Sequence, residues 1–269
     1  MKYKKLSNSV EIPMLGFGTF KIPDDQAAEV VKKAIIEGYR HIDTAAVYRN
    51  EIGVGKGIKE SHVAREEIFL TTKCWNDDQG YQKALEAFEK SCQRLQTNYI
   101  DLYLIHWPKP LNSETWKAFE ELYQLGRIRA IGVSNFHQHH FEELMKTARI
   151  KPMVNQIEYT PRLTQKTLKK YLESEGVAME SWSPLMRGKI SEIDLLHNLS
   201  LKYGKTVAQI VLRWNIDTDV IVIPKSVTLQ RIKENFDIFD FHLSQDDIEA
   251  INLLNKNLRT GPDPDNFDF

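Results

Sequence analysis

Short apolar runs alternate with helical stretches eight times along this chain, with no linker-like shift in composition between them. That alternation restricts the fold more than any single residue does. Strands are expected over Met14–Gly18, Tyr39–Asp43, Ile68–Lys73, Ile100–His106, Ala130–Val133, Met153–Gln156, Val177–Ser181 and Val220–Ile223. Between and after them, helices are expected over Asp25–Glu37, Glu51–Glu60, Tyr81–Leu95, Glu114–Leu125, His137–Ala148, Thr164–Glu175, Val207–Asn215 and Leu229–Asn235. In the third helix Leu85, Phe88, Cys92 and Leu95 recur every three or four residues and offer one face to a sheet. Gly38, Gly126 and Gly176 follow helical patterns where left-handed C-caps belong. Periodicity alone leaves an open doubly wound sheet as an alternative. Even spacing over 269 residues favours closure into one (β/α)8 barrel of the TIM type, a single domain spanning 1–269.

Three segments fall outside the alternation. Ser7-Asn8-Ser9 is placed to turn a small β-hairpin across the bottom of the barrel. Pro184–Tyr203 reads as a long connection. After a helix over Ser244–Leu254, the stretch Arg259–Phe269 is too polar and proline-rich for a core, and its Phe267 and Phe269 are expected to fold over the barrel mouth, with a frayed tail as the alternative.

The 36 basic and 37 acidic side chains give a formal charge of -1 with no long block of one sign, which argues against nucleic acid as the main partner. Cys74 and Cys92 make neither a disulfide framework nor a metal-like pair. The start, Met1-Lys2-Tyr3-Lys4-Lys5-Leu6, lacks the apolar run of a signal peptide, and no stretch approaches the length of a membrane span. A cytoplasmic protein is expected, and no coiled coil or interface stripe argues against a monomer.

In such a barrel, side chains leaving several strands converge at the C-terminal rim. The second, third and fourth strands end in His41-Ile42-Asp43 followed by Tyr48, in Thr71-Thr72-Lys73 and in Leu104-Ile105-His106, so Asp43, Tyr48, Lys73 and His106 can face one point. Carbonyl reduction needs this set: hydride arriving at carbon leaves charge on oxygen, so an acid and hydrogen-bond donors must stand beside it. Tyr48 is the expected proton donor, Lys73 is expected to lower its proton affinity, Asp43 to hold Lys73 charged, and His106 to orient the carbonyl. Taken singly, the same residues also suit a structural ion pair, a satisfied core histidine and an aromatic cap. No metal is expected: His41 and His106 lack partner ligands, and His139-His140 lies on an outer helix.

Across the mouth, Ser134, Asn135 and Gln156 end adjacent strands with groups suited to a carboxamide, and Trp182 offers a stacking plane beside Ser183 and Leu185. The transition from Ile223 into the last barrel helix supplies Lys225, Ser226, Val227, Thr228 and Arg231 at a helix N-terminus, a composition suited to phosphate. No Gly-x-Gly-x-x-Gly dinucleotide motif occurs. Phe20, Trp75 and Trp107, with His106, are expected to bound the substrate site, although Phe20 and Trp75 equally suit rim packing.

Several segments are specific enough in order and content to identify a relationship: Gly38-Tyr39-Arg40-His41-Ile42-Asp43-Thr44-Ala45 with Tyr48-x-Asn50-Glu51, Asp101-Leu102-Tyr103-Leu104-Ile105-His106-Trp107-Pro108, Gly132-Val133-Ser134-Asn135-Phe136, Asn155-Gln156-Ile157-Glu158 and Ile223-Pro224-Lys225-Ser226. Over essentially its whole length the chain resembles the aldo-keto reductase superfamily, in particular small bacterial members similar to 2,5-diketo-D-gluconate reductases and glyoxal or methylglyoxal reductases. The resemblance implies a catalytic set of Asp43, Tyr48, Lys73 and His106. It assigns Ser134, Asn135 and Gln156 to the nicotinamide carboxamide, and Trp182 to stacking where many relatives have Tyr. Ser183 and Leu185 fall to the diphosphate, Lys225, Ser226, Thr228 and Arg231 to an adenosine 2'-phosphate, and Glu234 and Asn235 to adenine. The implied cofactor is NADPH/NADP+, and the implied partner is a small carbonyl such as methylglyoxal. A sugar-ketone reductase and a catalytically idle NADP(H)-sensing barrel are the competing expectations.

Overall fold

A computed structural model describes residues 1–269. The chain opens with an antiparallel hairpin, β1 (Tyr3–Lys5) and β2 (Glu11–Pro13), turned by Ser7-Asn8-Ser9. Eight parallel strands follow: β3 (Phe17–Gly18), β4 (His41–Asp43), β5 (Phe69–Cys74), β6 (Ile100–Ile105), β7 (Ile128–Ser134), β8 (Val154–Glu158), β9 (Ala178–Trp182) and β10 (Ile221–Val222). They pair in sequence order from β3 to β10. The ring then closes, because Gly16 N–H donates to Val222 O and Val222 N–H to Met14 O, each at 2.8 Å. Closure decides between the two candidate architectures in favour of the barrel, whose continuous ring leaves no exposed sheet edge.

The helices are α1 (Asp24–Ile36), α2 (Glu51–Glu60), α3 (Tyr81–Leu95), α4 (Asn112–Gln124), α5 (Gln138–Met145), α6 (Lys166–Ser174), α7 (Asp194–Tyr203), α8 (Val207–Asp217), α9 (Leu229–Phe236) and α10 (Gln245–Asn252). No helix is long and apolar enough to cross a membrane. Gly38, Gly126 and Gly176 take positive φ after α1, α4 and α6, as their C-capping positions require. In α3 the buried face holds Phe88, Cys92 and Leu95 together with Ala84, Ala87 and Ser91, while Leu85 packs at its margin. Both cysteines are free and buried.

One expectation fails in the region expected to be a connection. Pro184–Tyr203 contains a 3-10 turn over Met186–Glu192 and the whole of α7. Residues 186–188 carry positive φ, and this break masks the apolar spacing of Leu196 and Leu199, which α7 buries. The barrel interior also departs from a purely apolar filling. His41 and Glu180 are fully buried inside it, and a Cβ at Gly16 would stand 2.6 Å from the His41 ring, so the closing strand must lack a side chain there.

Candidate active site

The C-terminal rim gathers residues from consecutive strands because parallel pairing puts their ends side by side. Gly18 is level with Asp43, Asp43 with Thr71, and Ser134 with Gln156. Asp43 ends β4, Lys73 lies one residue from the end of β5, and His106 follows β6 directly. Tyr48 ends the short 3-10 turn Ala46–Tyr48. That turn is staked by buried Asn50, which accepts from Thr44 Oγ1 at 2.9 Å and donates to Thr19 O and Ile22 O at 2.9 and 3.0 Å. Glu51, also buried, accepts from Thr72 Oγ1 and Arg94 Nε, both at 2.6 Å, and fixes the start of α2 against β5 and α3. Asn50 and Glu51 belong to the Tyr48-x-Asn50-Glu51 segment, yet their supporting role depends on contacts that the sequence does not reveal.

At the centre, the Lys73 ammonium donates to Asp43 Oδ1 and Oδ2 at 2.7 and 2.8 Å and to Thr44 O at 2.9 Å, with Tyr48 Oη at 3.5 Å. Burial opposes a charge on Lys73, but the Asp43 carboxylate beside it more than compensates and raises its proton affinity. The expected lowering of Tyr48 is corrected. Lys73 does pull its pKa down, but enclosure of the phenol outweighs that pull and the net shift is upward. The desolvation cost of a phenolate exceeds the attraction of a cation whose charge is already shared with Asp43. The result is a phenol that keeps its proton at neutral pH. His106 is held neutral, well below the usual imidazole range, by burial and then by Lys73. Its ring stands edge-on to Tyr48 and Trp75, at centroid distances of 5.7 and 5.1 Å.

Beneath this centre, Gln156 Nε2 donates to Asp43 Oδ2 at 2.8 Å and to Glu180 Oε2 at 2.9 Å. Burial, then repulsion from Asp43, pushes the Glu180 carboxyl up to about 8. His41 adjoins it, with Nε2 3.5 Å from Glu180 Oε1, and burial drives the imidazole down to about 3. Glu180 is a contributor that sequence reasoning missed. Its place in the middle of an apolar-looking strand was its only signal.

The expected carboxamide group is present but already occupied with internal contacts. Asn135, at a left-handed φ of 64°, donates to His106 O at 3.0 Å and to Ser134 Oγ at 3.1 Å, and accepts from Trp182 Nε1 at 2.8 Å. Ser134 Oγ donates to Gln156 O at 2.9 Å. With both amide hydrogens of Gln156 committed, its Oε1 is what it retains for a ligand. Ser183 and Leu185 are half-buried where the chain leaves β9. Across the rim, Lys225, Val227, Thr228 and Arg231 are exposed around the start of α9, with Thr228 as its N-cap and Ser226 Oγ accepting from Thr228 N–H at 3.1 Å. Asn235 is buried on α9, and Glu234 is tied to Gln230 at 2.8 Å. Lys21, absent from the expected set, lies close enough to Lys225 to lower its pKa after burial has done so. Neither these two lysines nor Arg231 is engaged in an ion pair, and Lys225 and Arg231 stand by the N-terminus of α9 with Lys21 near Lys225, a set of cations suited to a polyanionic ligand.

The tail closes the mouth. Phe269 stacks on Trp75 at 5.8 Å and 10°, and Phe267 packs on Trp107 at 4.8 Å. Phe20 leans on Tyr48 at 4.9 Å, so Phe20, Trp75, Trp107 and the two tail phenylalanines gather around the Tyr48–Lys73–His106 centre. The anchor of the tail is Glu158, buried at the end of β8, which accepts from Thr260 N–H at 2.7 Å, from Thr260 Oγ1, and from Gly261 N–H at 3.2 Å. Gly261 packs against the outer benzene carbons of Trp182, where a Cβ would come within 2.3 Å.

Residues 14–256 match the Aldo/keto reductase family. The chain is 57% identical over 267 residues to glyoxal reductase of Bacillus subtilis (strain 168), covering 98% of this chain and 97% of that protein. It is 45% identical over 268 residues to methylglyoxal reductase DkgA of Escherichia coli (strain K12), with 98% and 97% coverage. Among solved structures, a variant of Gox0644 in complex with NADPH superposes with a TM-score of 0.95 at 43% identity, covering 100% of this chain and 99% of that one.

Proposed function

This chain belongs to the aldo/keto reductase family, and on that premise we propose that it reduces small aldehydes and dicarbonyls, glyoxal and methylglyoxal foremost, with NADPH as the reductant. The observation that carries the proposal is the Lys73 ammonium, bound to both Asp43 oxygens and standing 3.5 Å from the Tyr48 oxygen in an aromatic enclosure.

Lys21, Lys225 and Arg231, with Ser226, Val227 and Thr228 at the start of α9, would hold the phosphates at the adenosine end, with Glu234 and Asn235 beside the adenine. Ser183 and Leu185 would line the diphosphate. Gln156 Oε1 and the second lone pair of Asn135 Oδ1 would accept from the carboxamide, with Ser134 beside them and Trp182 against the ring. When bound, the cofactor supplies a hydride to the carbonyl carbon. Tyr48 passes its hydroxyl proton to the carbonyl oxygen as negative charge collects there, and Lys73 stabilises the phenolate left behind until solvent returns a proton. Asp43 and the Thr44 carbonyl keep the ammonium aimed at that oxygen. Neutral His106 aligns the carbonyl without competing for the proton. Phe20, Trp75, Trp107 and the tail exclude water from the developing charge and limit the substrate to a small carbonyl.

The test follows NADPH absorbance with glyoxal, methylglyoxal, benzaldehyde and 2,5-diketo-D-gluconate. The expected outcome is the highest kcat/KM for the two small dicarbonyls. Methylglyoxal ranking last overturns the substrate assignment, and NADPH binding without turnover of any carbonyl favours an idle sensing barrel.

A further inference from the structure

Outside the active site, three histidines at the start of α5 surround one carboxylate of the tail. His137, His139 and His140 each place a ring nitrogen by Asp265, and the four ligand atoms lie within 4.8 Å of one another. His137 Nδ1 is 2.8 Å from Asp265 Oδ2, while His139 Nε2 and His140 Nε2 are 3.0 and 3.4 Å from Oδ1. We propose that this cluster is a binding site for a divalent late-transition-metal cation, with Zn2+ as its representative, which ties the C-terminal tail to helix α5.

The geometry and the donor set both support this. Metal–nitrogen and metal–oxygen bonds of about 2.0–2.2 Å in a tetrahedral site put neighbouring ligand atoms about 3.3 Å apart, and His139 Nε2 and His140 Nε2 stand 3.0 and 3.4 Å from the one oxygen they share, Oδ1, with His137 Nδ1 beside the other. Three imidazoles and one carboxylate suit Zn2+, Ni2+ or Cu2+, whereas Mg2+ and Ca2+ prefer oxygen. The rings are also available. Side-chain exposures of 20% for His137 and His140, 62% for His139 and 49% for Asp265 leave an entry path from solvent. His139 has no hydrogen bond at its far nitrogen and can ligate directly. The other two must exchange contacts. His137 Nε2 accepts from Arg259 Nη2 at 2.8 Å, and His140 Nδ1 accepts from the His137 N–H at 3.2 Å. On ligation the coordinating nitrogen of each presents its lone pair, so the remaining ring proton sits on the far nitrogen and that contact is given up.

Chain order gives the site its consequence. Asp265 is two residues before Phe267 and four before Phe269, the rings that cover Trp107 and Trp75, and Asn76 Nδ2 donates to Phe269 O at 3.1 Å. A cation joining Asp265 to α5 would therefore pin the tail between its Glu158 anchor and its aromatic end.

The experiment titrates untagged, chelator-treated protein with Zn2+ by calorimetry, with Mg2+ as the control cation, and follows backbone hydrogen exchange with and without Zn2+. One saturable Zn2+ site is expected, weakened at least about tenfold in His139→Ala and in Asp265→Asn, with slowed exchange confined to the tail and the start of α5. Both substitutions lie at exposed positions, and His139→Ala is expected to leave carbonyl reduction without metal unchanged. Absence of saturable Zn2+ binding, equal affinity in the variants, or an equal response to Mg2+ overturns the site. Zn2+ binding without added protection of the tail overturns the tether.

Discussion

Asp43 and Glu180 are joined through a single amide: Gln156 Nε2 lies 2.8 Å from one carboxyl and 2.9 Å from the other. Two carboxylates so close in a closed barrel cannot both ionise cheaply. Asp43 has the Lys73 ammonium, so Glu180 is the one that retains its proton at neutral pH.

That division makes stability depend on pH in a defined direction. Glu180, at about 8 in the fold against an ordinary 4.5, holds its proton more tightly folded than unfolded, so the stability tied to it is complete below pH 4.5 and is lost as pH rises toward 8. His41, at about 3 against 6.5, runs oppositely: its contribution is complete above pH 6.5 and is lost as pH falls toward 3. Glu180→Gln removes the first dependence and leaves the second. Thermal melts of the variant are expected to be flatter than those of the parent between pH 6.5 and 8, with both falling in acid. Parallel curves across that interval would contradict a protonated Glu180.

Lys73→Met leaves Asp43 buried without its cation and is expected to cost about 3–5 kcal/mol of unfolding free energy. The double variant Lys73→Met with Asp43→Asn removes both charges and should recover much of that loss. Denaturant unfolding of the two single variants and the double variant measures the coupling. Additive losses would show that the ion pair contributes no pairwise stability.

Tyr48→Phe retains the ring that packs on Phe20 and removes the proton. Single-turnover reduction should slow by about 100-fold or more, while the dissociation constant for NADPH stays close to that of the parent. Near-parent chemistry in this variant would transfer the proton-donor role elsewhere.

Arg231 is exposed and unpaired beside the N-terminus of α9. Arg231→Ala is expected to weaken NADPH binding about tenfold, the loss of one charge-assisted contact, and to leave NADH binding nearly unchanged. Fluorescence titration with both cofactors measures this. Equal losses for the two would remove the 2'-phosphate from that position.

The alternation of apolar runs and helices determined the β/α units and favoured the barrel over an open sheet, a choice that only ring closure decided, and the order of the strands determined which of their ends lie side by side. Asp43, Lys73 and His106 are legible because parallel strands in sequence order put consecutive C-terminal ends side by side. Tyr48 is legible from its place just past the second strand, but its exact position is not, since it sits on a turn that depends on Asn50 and Glu51 reaching distant partners. Tertiary structure alone decided the sign of the Tyr48 shift, because the balance between desolvation and a neighbouring cation depends on enclosure, which spacing along a chain does not encode. It also decided that Glu180 lies beside Asp43, that Glu158 anchors the tail, and that Asp265 meets three histidines over 120 residues earlier in the chain. Local periodicity fixes which face of an element is buried. Contacts between remote polar groups arise only when the ring of strands closes and the tail crosses its mouth.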